Sequence, residues 1–367
     1  MDTTDENISF DQNGFCHHCS EFYRLIEPSW NHGKGHTDFL IRKMNEIKKG
    51  SKAKDFDCII GLSGGLDSSF LLHKVVTEYG LRPLVFHVDA GWNTDIAVKN
   101  INNLVNKLNL DLFVEVIDWD DMKDFQLALF KSGTPHLDLA QDHAFFATMY
   151  HYARKYNIKY ILNGGNHSTE CIRNPLTWLY YGTDMSFLND VRKRYCTRPL
   201  KNYPWSSIYY HKIYLRYFKR IEVLKPLNFM EYNKNKAIEE LKSVYGWTEY
   251  PQKHFESRFT RFYEGYWLPK RFGYDTRKVQ LSSLIVTGQI TRQDALDELN
   301  NKPYNEKYEI HETQYIANKL DVELSEFLQY MEIPKKWYFN YKNEKKIFDI
   351  GARILNMINT DKAIVKR

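Results

Sequence analysis

An α/β fold built on a parallel sheet is what this sequence of 367 residues predicts, and three observations predict it. Short apolar runs alternate with segments of helical period from about residue 57 to 225. A glycine-rich loop joins the first run to a helix. From Ala237 onward the periodic segments are all helical, so nothing there reads as a second sheet. Strands separated by helices run parallel with both faces covered, and ligands of such sheets bind at the carboxyl ends of the strands, near the switch point.

The elements follow in order. Residues 1–54 read as a polar, loop-like region containing Cys16-His17-His18-Cys19, closed by a helical pattern of Phe39, Leu40, Met44 and Ile47. Residues 57–62 are a strand, 68–79 a helix, 84–88 a strand, 96–108 a helix and 112–117 a strand. A helix over 138–156, a strand at 160–162 and an apolar run at 221–224 closed by Pro226 complete the alternation. Helical segments are expected around Leu241, at 279–285, 295–299 and 315–320, and at 348–358. The division this implies is an N-terminal region (1–54), an α/β domain (55–230) interrupted at about 176–220, and a helical C-terminal region (231–367).

Composition narrows the class. Hydrophobic residues at 43% and charged residues at 26% describe an ordinary globular chain and exclude disorder as its main state. No apolar stretch reaches membrane-spanning length, and the first residues are acidic where a secretory signal is basic and then apolar. The expectation is a cytoplasmic protein. Five cysteines in a long chain argue for reduced thiols or a metal pair rather than a disulfide framework. Net charge is +5, but nine basic and no acidic residues lie between Val191 and Arg220, interleaved with aromatics. That segment reads as a solvated or subunit-contact face, as a cradle for an anionic ligand, or as a nucleic-acid or membrane surface.

The decisive segment is Gly61-Leu62-Ser63-Gly64-Gly65-Leu66-Asp67-Ser68, between the first strand and its helix. Two glycines allow a turn tight enough to aim successive N–H groups inward, Ser63 and Ser68 add hydroxyls, and the helix offers its positive end. The pattern is neither the Walker loop nor the three-glycine dinucleotide fingerprint. Asp67 inside an anion cradle implies a divalent cation bridging it to phosphate oxygens. The competing reading is a plain strand-to-helix turn with a polar cap.

Here the sequence resembles the PP-loop ATP pyrophosphatases. That resemblance implies an adenine nucleotide alpha-hydrolase-like domain of HUP type, with Ser63, Gly64, Gly65, Asp67 and Ser68 on the pyrophosphate of ATP. It also implies that the backbone at Val88 and Asp89 receives adenine. Gly165 and Asn166, in Asn163-Gly164-Gly165-Asn166, join the nucleotide site, and Glu170 is expected as the second Mg²⁺ ligand beside Asp67. The order of further segments, among them Lys225-Pro226-Leu227, Tyr245-Gly246-Trp247, Lys253-His254-Phe255-Glu256-Ser257-Arg258 and Leu268-Pro269-Lys270-Arg271-Phe272-Gly273, is similar to the bacterial N-acetyl sugar amidotransferases. What that family implies is conversion of an acetamido group on a nucleotide-activated sugar to an acetamidino group, with AMP and pyrophosphate released. Asp67, Glu170, His254 and Lys270 are then the candidate catalytic residues, His254 as a proton carrier.

No Gly-x-Cys-x-Gly elbow or amino-terminal Cys marks a glutaminase nucleophile, so ammonia is expected from a separate glutaminase subunit. The resemblance suggests one like the glutaminase of imidazole glycerol phosphate synthase, with that enzyme's cyclase-like barrel as a further component. Cys16 and Cys19 have structural Zn²⁺ spacing but need two more ligands, for which His17, His18, Cys171 and Cys196 are candidates. The family's second Cys-x-x-Cys is not in this sequence. The alternative enzyme class is a PP-loop tRNA-modifying thiolase or lysidine-type ligase, and a nucleotide-binding regulatory module is the non-enzymatic one.

Overall fold

The computed structural model describes residues 1–303 and 306–358; the end of the expected C-terminal helical region, 359–367, lies outside them. Five strands form one parallel sheet: β1 (Cys58–Gly61), β2 (Pro83–Asp89), β3 (Leu112–Val116), β4 (Tyr160–Leu162) and β5 (Glu222–Leu224). Their spatial order is β3-β2-β1-β4-β5, so the chain reverses direction of travel across the sheet between β1 and β4. That reversal is where the glycine loop leaves β1.

Both faces of the central strands are covered, which is why β1 reads as an unbroken apolar run. Ile59 points with Leu84, Phe86 and Ile161 into one layer, against Ala153 of the helix Leu139–Lys155. Cys58, Ile60, Val85 and Leu162 point the opposite way, against Leu71 and Leu72 of the helix Leu66–Thr77 and Leu104 of the helix Asp95–Leu108. Alternation along each strand therefore divides the core in two. Ile238 and Leu241 of the helix Lys234–Tyr245 close the second layer.

A third, aromatic-rich core sits over the carboxyl ends of the strands. It holds Ala90 and Trp92 after β2, Ile117 after β3, Phe22 and Trp30 from the N-terminal region, and Phe259, Phe262, Trp267 and Phe327 from the C-terminal helices. The site is thereby roofed by sequence far from the sheet.

The expected strands and helices are present, with ends shifted by a few residues. Several helical stretches depart from the sequence reading, among them Tyr210–Phe218, the run Arg258–Phe272, and three that shape the fold most. Residues 17–30 are helical rather than loop-like, with a π turn at Phe22–Ile26 and Pro28 in the first turn of Glu27–Trp30. The helices Trp119–Ser132 and Met185–Tyr195 were not expected, and they pack on each other. The first of these buries Asp121, Asp124 and Gln126 along with its apolar residues, which blurs its hydrophobic stripe. Those acids have partners in the basic segment. Asp124 accepts from Thr197 N (3.0 Å) and Oγ1 (2.9 Å), Asp121 from Arg198 Nη2 (3.0 Å) and Asn202 N (2.7 Å).

Candidate active site

The glycine loop is held open by its surroundings. Gly64 takes φ +84° and a Cβ there would stand 2.8 Å from the Ala97 carbonyl oxygen, so only glycine fits. Its own carbonyl accepts from Trp247 Nε1 and the Tyr250 hydroxyl, both at 3.1 Å. Gly65 is the N-cap of the helix Leu66–Thr77 and no side chain caps that terminus, so its first N–H groups are left for an anion. Ser63 Oγ lies 3.2 Å from Ser68 Oγ, accepts from Gly65 N at 3.2 Å and donates to Glu256 Oε1 at 3.3 Å. Gly164, after β4, approaches so closely that a Cβ would meet the Asp67 and Ser68 backbone at 2.9–3.0 Å.

Asp67 and Glu170 converge on a lysine. Lys253 Nζ is 2.7 Å from Asp67 Oδ2, 2.7 Å from Glu170 Oε1 and 3.1 Å from Thr169 Oγ1. Asp67 Oδ1 also accepts from the Tyr232 hydroxyl (2.5 Å) and Asn166 Nδ2 (3.1 Å). Burial works to raise the Glu170 carboxyl, yet Lys253 outweighs it and draws it down to about 2. Two carboxylates meeting at one cationic point are a donor set suited to a hard divalent ion, with Lys253 holding that point in its place.

Two cavities flank this cluster. The first, about 300 Å³, is lined by Ser63, Gly65, Asp67, Ser68, Gly165, Glu170 and Lys253. The second, about 370 Å³, lies along the end of β2 at Phe86, His87 and Val88 and is walled by Asp138, Asp142 and Glu264. Ser63, Asn163, His254 and Glu256 line both, so the cavities meet at the loop.

His254 stands at that junction with φ +67°, a strained backbone for a side-chain-bearing residue. Its Nδ1 is 3.2 Å from Glu264 Oε1. Burial opposes the charged ring, but the Glu264 carboxylate prevails and raises it to about 9 from an ordinary 6.5. A group raised in the folded state stabilises fully below its unfolded value and loses that contribution as pH rises through the folded one. Stability is therefore expected to fall between pH 6.5 and 9, by about 1 kcal/mol because the His254 side chain is 44% exposed and screened. Urea unfolding across that range checks it: Glu264→Gln should flatten the decline, and an unchanged slope would refute the assignment.

Several sequence expectations are redirected. Asn166, 3% exposed, lines neither cavity; it caps the short helix His167–Glu170 by accepting from Thr169 N at 2.9 Å and steadies Asp67. Asp89 lies outside the cavity walls and accepts from Gly91 N at 2.7 Å, shaping the turn after β2. Lys270 lines neither cavity, donates to the Tyr266 hydroxyl at 3.0 Å and is 56% exposed, because its helix turns that face outward. None of the nine basic residues of 191–220 lines either cavity. Arg194 and Arg198 are spent on Asp190 and Asp121.

Cys16 and Cys19 lie with sulfurs 3.5 Å apart. Among the described residues the one three-ligand group is Asp5, His17 and His18, which contains neither cysteine; Cys171 and Cys196 contact backbone carbonyls instead. Burial, with Cys16 adding to it, pushes the Cys19 thiol up to about 11, and burial takes Cys171 and Cys196 to about 12, so none of these three is an activated nucleophile. The sequence reading did not single out Tyr232, Asp138, Asp142 or Glu264. Only Asp138 and Asp142 carried a signal, being acids one helical turn apart.

Sheet order, glycine loop and paired carboxylates at the switch point define a parallel α/β protein with its candidate site at the carboxyl ends of the strands. Over residues 256–355 the chain matches the family model described as LPS biosynthesis protein WbpG-like, C-terminal domain. Among solved structures it is similar to the NH3-dependent NAD synthetase of Campylobacter jejuni, at 16% identity, covering 74% of this chain and 98% of that one with a TM-score of 0.31. It is also similar to the NMN synthetase of Francisella tularensis, at 14% identity, covering 61% and 99% with a TM-score of 0.28. No curated protein matches the chain. Among the described residues no helix is long and apolar enough to cross a membrane.

Proposed function

We propose that this chain is an ATP-dependent, AMP- and pyrophosphate-forming amidotransferase. Its substrate is a nucleotide-activated N-acetyl sugar whose acetamido group becomes acetamidino, for a bacterial surface polysaccharide such as lipopolysaccharide or for a flagellin glycan. The observation that supports this most is where the WbpG-like match begins. Residues from Glu256 onward supply Glu256, Thr260 and Glu264 to the cavity that opens on the glycine loop, so the segment likened to lipopolysaccharide synthesis forms part of the reaction chamber.

The chemistry suits the residues. An amide carbonyl resists ammonia because oxide is a poor leaving group, so its oxygen must first attack the α-phosphorus of ATP and displace pyrophosphate. The hydroxyls of Ser63 and Ser68 and the uncapped N–H groups after Gly65 hold the departing pyrophosphate, preorganised for the charge that develops. Asp67 and Glu170 would hold Mg²⁺, which supplies charge neutralisation to the phosphates when bound. Lys253, released from those carboxylates, brings its own positive charge to the phosphoryl oxygens. Ammonia then replaces AMP, and we assign its supply to a separate glutaminase subunit.

The test is direct. Protein, ATP, Mg²⁺, ammonium chloride and a uridine diphosphate acetamido sugar should yield AMP, pyrophosphate and a product lighter by the difference between O and NH. Release of ADP and phosphate would overturn the proposal.

A further inference from the structure

The helix Tyr210–Phe218 turns an apolar face to solvent. It is a nine-residue π-helix, a form that is rare at this length and brings residues four or five apart into line. Its inner side is fixed: His211 and Leu215 are buried, and Tyr150 of the helix Leu139–Lys155 stacks on His211 at 4.3 Å. Its outer side holds Ile213, 50% exposed, Tyr217, 64%, and Phe218, 73%, with exposed Tyr209 preceding them at the same spacing. Large apolar side chains gathered on one exposed face mark an interaction surface rather than the ordinary scatter of surface residues.

Cations border that face with no acid to answer them. Lys212, Lys219 and Arg220 are exposed and Arg216 is half-buried, and the chain has no Asp or Glu between Val191 and Arg220. Among the described residues none of these four side chains forms an ion pair or a hydrogen bond. Lys159 Nζ donates to the Lys219 carbonyl at 2.8 Å, which extends the patch to the amino ends of β4 and β5. Glu222, the first acid that follows, is already paired with Lys43 at 3.1 Å. Burial, joined by the charges of Lys54, Lys219 and Arg220, draws the Lys159 ammonium down, as expected of cations crowded together.

Free cations beside an apolar ridge complement a surface that is anionic outside and apolar beneath. Single-stranded nucleic acid is the other anion suited to basic and aromatic side chains, and it needs open ring faces for its bases. Here the rings stack on one another, Tyr210 on Tyr214 at 5.4 Å and Tyr214 on Phe218 at 6.1 Å, and the exposed Ile213 has no ring. We propose that the helix Tyr210–Phe218 docks this protein on an anionic lipid bilayer, with Ile213, Tyr217 and Phe218 entering the headgroup boundary and Lys212, Arg216, Lys219 and Arg220 meeting lipid phosphates. The patch ends at the amino ends of the strands, whereas the glycine loop lies at their carboxyl ends, so docking leaves the site open to soluble ligands. Docking does not depend on the reaction proposed above, and its failure leaves that reading untouched.

Co-sedimentation of the full chain with vesicles tests this. Vesicles of phosphatidylglycerol and phosphatidylcholine in equal parts should bind it at least tenfold more tightly than vesicles of phosphatidylcholine alone, and added salt should weaken that binding. Lys212→Gln, Arg216→Gln and Lys219→Gln together should weaken it about a hundredfold, at about fivefold for each cation. Ile213→Ser with Phe218→Ser should weaken it at least tenfold and leave the melting temperature close to that of the parent, since both side chains point away from the core. Equal binding to the two kinds of vesicle, anionic binding that Ile213→Ser with Phe218→Ser leaves unaltered, or tighter binding of single-stranded RNA at the same salt would each overturn the proposal. If the variants do not fold, the two kinds of vesicle and the RNA decide on the unaltered protein.

Discussion

Asp67→Asn should lower AMP formation by about 10²–10³-fold, in the range of other losses of preorganised electrostatic groups, while costing only about 1–3 kcal/mol of stability. The asymmetry follows from what surrounds the carboxylate. Tyr232, Asn166 and Lys253 all donate to it, the first two to Oδ1 and the lysine to Oδ2. An asparagine accepts on one side only, so its amide N–H groups would face a donor whichever way it turned. Lys253 would keep Glu170 and Thr169, and the fold would survive. The reaction would not, because one of two carboxylates at the phosphate end would be gone. Turnover by AMP release and stability by urea unfolding measure the two effects, and a rate within threefold of the parent would remove Asp67 from the mechanism.

Gly64→Ala should have the largest effect on the loop itself, of which about 1 kcal/mol comes from the left-handed backbone alone. The added methyl also meets the Ala97 carbonyl oxygen at 2.8 Å, a backbone atom that cannot move without shifting the start of the helix Asp95–Leu108. Activity should be lost with it, since the Gly64 carbonyl pinned by Trp247 and Tyr250 sets the direction of the next N–H. Two controls separate strain from crowding. Gly273 has φ +77° and open space, so Gly273→Ala should cost about 1 kcal/mol, and Gly61, at an ordinary φ with Met149 Sδ 3.6 Å away, should accept alanine nearly without cost. Denaturant midpoints of the three variants test this order; a Gly64→Ala protein as stable as Gly61→Ala would contradict it.

Much of the sheet was legible because its strands are short, apolar and separated by strongly periodic helices. Ile59 and Ile60 announce a strand covered on both sides, and Leu40, Met44 and Ile47 announce one buried helix face. The helix Trp119–Ser132 escaped because its buried acids look like a solvated surface until their partners in 194–202 are known. Lys270 shows the converse: a cation in such a segment gives no sign of which way its helix faces, and here it faces outward. Asn166 stands beside Asp67 and caps a helix, and a side chain that caps a helix is indistinguishable in sequence from one that meets a ligand.

By itself the chain's order of residues determined the parallel architecture, the glycine loop at residues 63–68 and the presence of two acids after β1 and β4, because periodicity and backbone permissiveness are local properties. Only the tertiary structure decided that Lys253 stands between Asp67 and Glu170 and that His254 joins two cavities. Those placements depend on helices from the far end of the chain folding over the strand ends. Through-space electrostatics and burial carry no trace in linear spacing.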